Sequence, residues 1–161
     1  MTSAEWKIPK KLKQVVMWVH PEGRVVGALF VQIDSYDRAE EQPLEILNDG
    51  RPFVVVQRRN PSEIRFYNKA SIVRVEYQES AAPTTAERVS ALACRLHLMD
   101  GSLLEGTVMK SLPPDRSRLF DFLNLEDERF IKLYPVDEAD NSIVTLVNKS
   151  FISFVSTPDR D

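Results

Sequence analysis

Reactive side chains are scarce in this chain. Its 161 residues include one cysteine, Cys94, and two histidines, His20 and His97. A lone cysteine excludes an internal disulfide and a cysteine-based zinc site. Two histidines leave little material for metal ligation or acid–base chemistry. The five glycines form no phosphate-cradling run, which excludes nucleotide binding by that route. No apolar stretch approaches the ~18 residues of a membrane span, and Met1–Lys7 lacks the basic-then-apolar order of a signal peptide. Glu126-Asp127-Glu128 and Asp137-Glu138-Ala139-Asp140 lack the alternating spacing of a calcium loop and read as solvated loops. These absences predict a soluble cytoplasmic protein with no cofactor, no metal and no catalytic constellation.

Excess positive charge is also missing. The net charge is −3, with +1 in residues 1–80 and −4 in residues 81–161. A protein that binds by neutralising phosphates is usually far more basic. Lys7, Lys10, Lys11 and Lys13 form the densest basic run and read as a solvated arm.

What is present is a pattern that occurs twice. Residues 79–87, small, polar and proline-interrupted, read as a linker between units 1–78 and 88–161. Asn68-Lys69-Ala70-Ser71-Ile72-Val73-Arg74-Val75 matches Asn148-Lys149-Ser150-Phe151-Ile152-Ser153-Phe154-Val155 as Asn-Lys-x-x-Ile-x-x-Val. Leu47-Asn48 followed by Phe53 matches Leu123-Asn124 followed by Phe130, and Glu22-Gly23 with Gly27 matches Asp100-Gly101 with Gly106. Three anchors in one order, offset by 80, 76 and 78 residues, indicate an internal repeat.

Each unit reads as five short strands. Leu92, Cys94, Leu96 and Leu98 alternate with Ala93, Arg95, His97 and Met99, the period of a half-buried strand. Asp100-Gly101 then reads as a tight turn, and Gly106 as a point of bending or close packing. Further strands are predicted at 103–110, 130–134, 142–147 and 151–155, and in the first unit at 14–20, 24–33, 53–57, 63–67 and 72–77. Between the second and third strands lie insertions of 19 and 18 residues, 34–52 and 111–128. Their apolar residues predict short helical turns at 43–48 and 117–124. Five strands in about 65–75 residues suggest a small, strongly bent barrel.

The run Arg95–Met109 resembles the first two strands of the Sm-like (LSm/Hfq-type) family, and Leu146–Pro158 resembles the last two strands of its bacterial branch. Tyr67–Ile72 carries the same ending in the first unit. Related SH3-like barrels share this grammar. The resemblance implies an all-β chain of two tandem five-stranded Sm-like or SH3-like barrels, packed as a pseudo-dimer. It also implies RNA binding through the final-strand lysine and a following histidine. Lys69 and Lys149 match the lysine, but Ala70 and Ser150 stand where the histidine belongs.

The residues themselves favour protein binding. Leu44, Ile46 and Leu47 in one insertion, and Leu119, Phe120 and Phe122 in the other, are candidate contacts. Phe154 is a further one, being apolar where its counterpart is Arg74. The expected function is a non-catalytic intracellular adaptor or regulatory subunit with a protein partner, a second copy of the chain being one possible occupant. The alternative is Sm-like RNA binding through Lys69, Lys149, Arg65 and Tyr67, the last two forming a base-stacking pair. Asn-Lys reads structurally as the closure between the last two strands of each unit. Cys94, in phase with Leu92 and Leu96, is expected in the core.

Overall fold

Alternation of apolar and polar residues sets the strands. The computed structural model describes residues 10–34, 36–37, 39–79, 90–110, 119–136 and 143–158. Most of the expected linker, Lys7 of the basic run and the acidic cluster 137–140 lie outside the described residues. In β1 (Lys10–Val19) Val15, Met17 and Val19 are buried while Val16 and Trp18 are half-buried. The same phase follows in β2 (Gly23–Gln32), which a turn joins to β1 with Gly23 at φ 95°. Then come α1 (Pro43–Asn48), β3 (Phe53–Arg58), β4 (Glu63–Asn68), a 3₁₀ turn (Lys69–Ser71) and β5 (Ile72–Gln78). Proline at the start of α1 suits the first helical turn, where a missing N–H costs nothing.

The second half runs through the same order. It comprises β6 (Ser90–Leu98), β7 (Leu103–Lys110), α2 (Leu119–Leu123), β8 (Phe130–Leu133), β9 (Ile143–Asn148), a 3₁₀ turn (Lys149–Phe151) and β10 (Ile152–Ser156). Gly101 takes φ 91° in the β6–β7 turn, the positive φ expected there. The molecule is mostly β, as the period-two pattern predicts. Among the described residues no helix is long and apolar enough to cross a membrane.

The strand pairing differs from two closed five-stranded barrels. Seven strands from both halves form one antiparallel sheet in the order β4-β3-β2-β1-β5-β9-β8, and β10-β6-β7 form a second. A single bridge, Thr107 to Tyr134, joins β7 to the end of β8 through N–H···O bonds of 3.0 and 2.8 Å. The sheets are open: β5 pairs with β1 of its own half on one edge and with β9 of the other half on the other, Val75 lying opposite both Met17 and Leu146. The outer edges of β4 and β10 have no strand neighbour among the described residues.

Two cores result, and they share strands. The first is built mainly on β1–β5 and α1, and it takes Phe130, Val144 and Leu146 from β8 and β9. The second gathers Cys94, Leu96, Leu98, Val108, Phe122, Ile131 and Leu133, and takes Val73 from β5. Strands β8 and β9 therefore bury side chains on both faces, which suits their near-continuous apolar runs.

Gly27 and Gly106 hold corresponding places. A Cβ at Gly27 would sit 2.6 Å from the Gln57 carbonyl oxygen, and one at Gly106 2.4 Å from that of Tyr134. Each glycine lets the second strand of its half press on the backbone of the third. Gly106→Ala is expected to destabilise the protein by about 2–3 kcal/mol, the upper range for overpacking. The obstructing atom is backbone of the only bridge between β7 and β8 among the described residues, so it has little freedom to yield. Urea unfolding measures this; an unchanged midpoint would show that β7 does not approach β8 so closely.

Candidate functional site

Lys69 heads the large fully buried side chains among the described residues, at 1% exposure. The turn after β4 aims it under the end of α1. Its Nζ donates to the Ile46 carbonyl at 2.7 Å and to Asp49 Oδ1 at 2.7 Å. Arg51 grips the same Asp49 carboxylate through Nε and Nη2, at 3.1 and 2.7 Å. The Arg51 bonds, then that of Lys69, hold the Asp49 carboxyl well below the usual carboxylate range against the opposing effect of burial. Lys149 repeats the arrangement, donating to the Leu123 and Leu125 carbonyls at 3.2 and 2.6 Å beside α2. Burial lowers the Lys149 pKa, opposed by Glu128 and Asp127. Both lysines satisfy carbonyls at a helix end that has no further turn to bond them.

The asparagines before them close the 3₁₀ turns. Asn68 Oδ1 accepts from Ala70 N at 2.9 Å, and Asn148 Oδ1 from Ser150 N at 3.0 Å. Asn148, wholly buried, also ties the halves together by donating to the Ile72 carbonyl at 2.9 Å. Asn48 does the same from the other side. Its amide donates to the Phe130 carbonyl at 3.0 Å and accepts from Phe130 N at 2.7 Å.

Arg65 and Tyr67 do lie on one face, but within a closed cluster. Tyr67 Oη donates to Glu22 Oε1 at 3.0 Å and accepts from Arg58 at 3.0 Å and Arg65 at 3.3 Å. Glu22 also pairs with Arg58 and, at 3.1 Å, with Arg65. The Tyr67 ring belongs to the first core, so it offers no free face to a base. Glu22, in the β1–β2 turn, meets these residues only through folding.

The insertion residues divide. Ile46, Leu47 and Phe122 are buried and serve the two cores, leaving no surface for a partner. Leu44 and Leu119 are partly buried against those cores, and Phe120 is exposed. Phe154 is exposed yet stacks on the His97 ring at 4.0 Å, as the Arg74 guanidinium stacks on Trp18 at 3.9 Å at the matching place in the first half.

His97 Nε2 also lies 3.3 Å from Ser156 Oγ, a serine 59 residues away that no sequence spacing brings to it. Among the described residues no carboxylate orients the other ring nitrogen, so the pair lacks the third member of a nucleophile-activating set. Cys94 is buried, and burial pushes its thiol up to about 11. Among the described residues no group of three or more His, Cys, Asp or Glu is placed to hold a metal ion. Native Cys94 is expected to react with a thiol reagent about a hundredfold more slowly than in the unfolded chain. Rapid modification at neutral pH would overturn its core role.

The outer face of β3 and β4 is an open apolar surface. Phe53 and Val55 lie beside Asn68 and Phe66 across the ladder, with Ile64 further along, and all four apolar side chains are exposed. An adjoining groove of about 280 Å³ is lined by Phe53, Val55, Ile64 and Phe30 among others. The sequence missed this patch; the signal for it is the unbroken run Phe53-Val54-Val55-Val56, which has apolar residues for two faces.

No protein-family model matches the chain, and neither does any curated protein or solved structure.

Proposed function

We propose that this chain is a non-catalytic intracellular protein-binding adaptor or regulatory subunit, built of two tandem Sm-like or related SH3-like units. The observation that carries the proposal is the exposed apolar face of β3 and β4, which ends at a β4 edge unpaired among the described residues. Contiguous apolar surface of this kind marks interaction sites, and a free edge offers a backbone ladder to a partner. Phe120 and Phe154 supply further exposed aromatic surface. The tandem reading draws support from the doubled element order, the paired glycines and the two helix-capping lysines.

RNA binding through Lys69, Lys149, Arg65 and Tyr67 is the weaker reading. Lys69 and Tyr67 are buried, all four are bonded within the protein, and the net charge is −3. The test is affinity purification of the tagged chain from its native cells, with and without nuclease, beside an Ile64→Lys/Phe66→Lys variant. A stoichiometric protein that survives nuclease and is lost with the variant is expected. Enriched RNA, with co-purifying proteins lost on nuclease treatment, would overturn the reading.

A further inference from the structure

We infer that the cleft between β2 and β3 binds a small monoanionic amphiphile, an alkyl carboxylate whose chain enters the cleft and whose charge stays at the mouth beside Lys10. This goes beyond the protein-binding reading and does not depend on it.

The cleft exists because two neighbouring strands part. β2 runs to Gln32 and β3 starts at Phe53, yet they pair only where Gly27, Ala28 and Leu29 face Arg58, Gln57 and Val56. Beyond Leu29 the insertion holds the end of β2 instead. Glu41 N donates to the Gln32 carbonyl at 2.8 Å, Gln32 N donates to Glu41 Oε1 at 3.1 Å, and Ile33 bridges Glu40. The last residues of β2 and the first of β3 therefore stand apart around a space of about 280 Å³, close to the ~300 Å³ at which small-ligand sites begin.

Its interior suits a hydrocarbon chain. Ile46 and Val54, each 5% exposed, belong to the first core and form the floor. Phe30, Phe53, Val55 and Ile64 line it toward solvent. Among the described residues, no buried side-chain polar atom without a partner belongs to this lining, so nothing in it calls for a polar ligand body. The apolar lining is particular to the first half. Val55 lies two residues beyond Phe53 as Lys132 lies two beyond Phe130, and Lys132 is engaged by Glu79 and by the Tyr134 ring.

The mouth calls for one negative charge. Lys10, Arg51 and Glu41 also line the cleft. Arg51 spends Nε and Nη2 on Asp49, whose carboxylate also takes the buried Lys69. Lys10, Arg51 and Lys69 against Glu41 and Asp49 leave a surplus of one positive charge. Lys10 makes no hydrogen bond or ion pair among the described residues, so the surplus sits there, at the solvent end of an apolar cleft. An alkyl carboxylate matches both parts, whereas an alkylammonium would bring like charge to Lys10 and Arg51.

The test is isothermal titration calorimetry of the purified full chain with hexanoate, octanoate and decanoate, and with octylammonium as the cationic counterpart. One molecule per chain is expected to bind, with affinity rising about fourfold for each added methylene until the cleft is full. Octylammonium should bind at least about fivefold more weakly than octanoate, a preference that shrinks as salt is raised. Lys10→Glu should weaken octanoate about fivefold at low salt, an exposed attraction being exchanged for a repulsion. Val55→Glu, at a 38% exposed position, should weaken it at least about tenfold, with native circular dichroism as the check on folding. Lys10→Glu, on an exposed side chain, keeps the test decisive if Val55→Glu does not fold. No saturable binding of decanoate, equal affinities for octanoate and octylammonium, or binding indifferent to the folded variants would overturn the inference. Phe66 does not line the cleft, which separates the two readings. A chain that takes no carboxylate but holds a protein partner that Phe66→Lys releases overturns the ligand site and leaves the protein-binding reading standing.

Discussion

Phe130→Ala is expected to cost about 3–5 kcal/mol, the range for a fully buried phenylalanine, and to lower the stability of both halves together. Phe130 belongs to a second-half strand, yet its side chain lies in the first core at 0% exposure. Its backbone is held by Asn48 from the end of α1. Removing the ring therefore opens a cavity under β1, β2 and α1 and loosens the contact that seats β8. The measurement is chemical denaturation in a Trp6→Phe background, followed by the fluorescence of Trp18, which packs against the second core, and by far-ultraviolet circular dichroism, which reports all strands. Both signals are expected to move to a lower midpoint in one coincident transition. If the halves were independent, part of the dichroism change would keep the wild-type midpoint.

That coupling marks where sequence reading ran out. Every strand was legible within a few residues, because period-two alternation needs only nearest neighbours along the chain. The turn at Gly101, the close packing at Gly106 and the turns closed by Asn68 and Asn148 were legible for the same reason, each being a local backbone demand. Pairing between strands is not local. Alternation says that β5 has an apolar face without saying that its edge meets β9 in the other half. The continuous runs Phe130–Leu133 and Ile143–Val147 carried the available clue, since two-sided burial leaves no polar phase. Ile46, Leu47 and Phe122 look like partner contacts in sequence because an insertion's apolar residues look alike whether they face a core or a partner. The Glu22–Arg58–Tyr67 cluster and the His97–Ser156 contact depend on side chains from separate strands, and no spacing encodes them.

Lys69 sits in the turn that closes β4 onto β5, and its replacement separates a structural lysine from a ligand-binding one. Lys69→Ala is expected to cost about 3–5 kcal/mol, combining a buried cavity with the loss of a charged partner. Lys69→Met keeps most of the aliphatic stem but leaves the Ile46 carbonyl without its donor, so about 1–3 kcal/mol is expected. A solvent-facing lysine that served RNA would show neither loss. Acid titration gives the second readout. Asp49, whose carboxyl is held below its ordinary value of 3.8, contributes stability that is fully present above that pH and is lost as pH falls through the lower folded value. In Lys69→Met only Arg51 remains to hold the carboxylate, so the native pKa rises toward 3.8 and the acid-dependent part of the stability shrinks. Thermal unfolding of both proteins between neutral pH and pH about 2 measures it. Their stability difference should be largest at neutral pH and narrow as Asp49 takes up its proton. A difference constant with pH would mean that Lys69 contributes through packing and the Ile46 bond alone, with no part in holding Asp49.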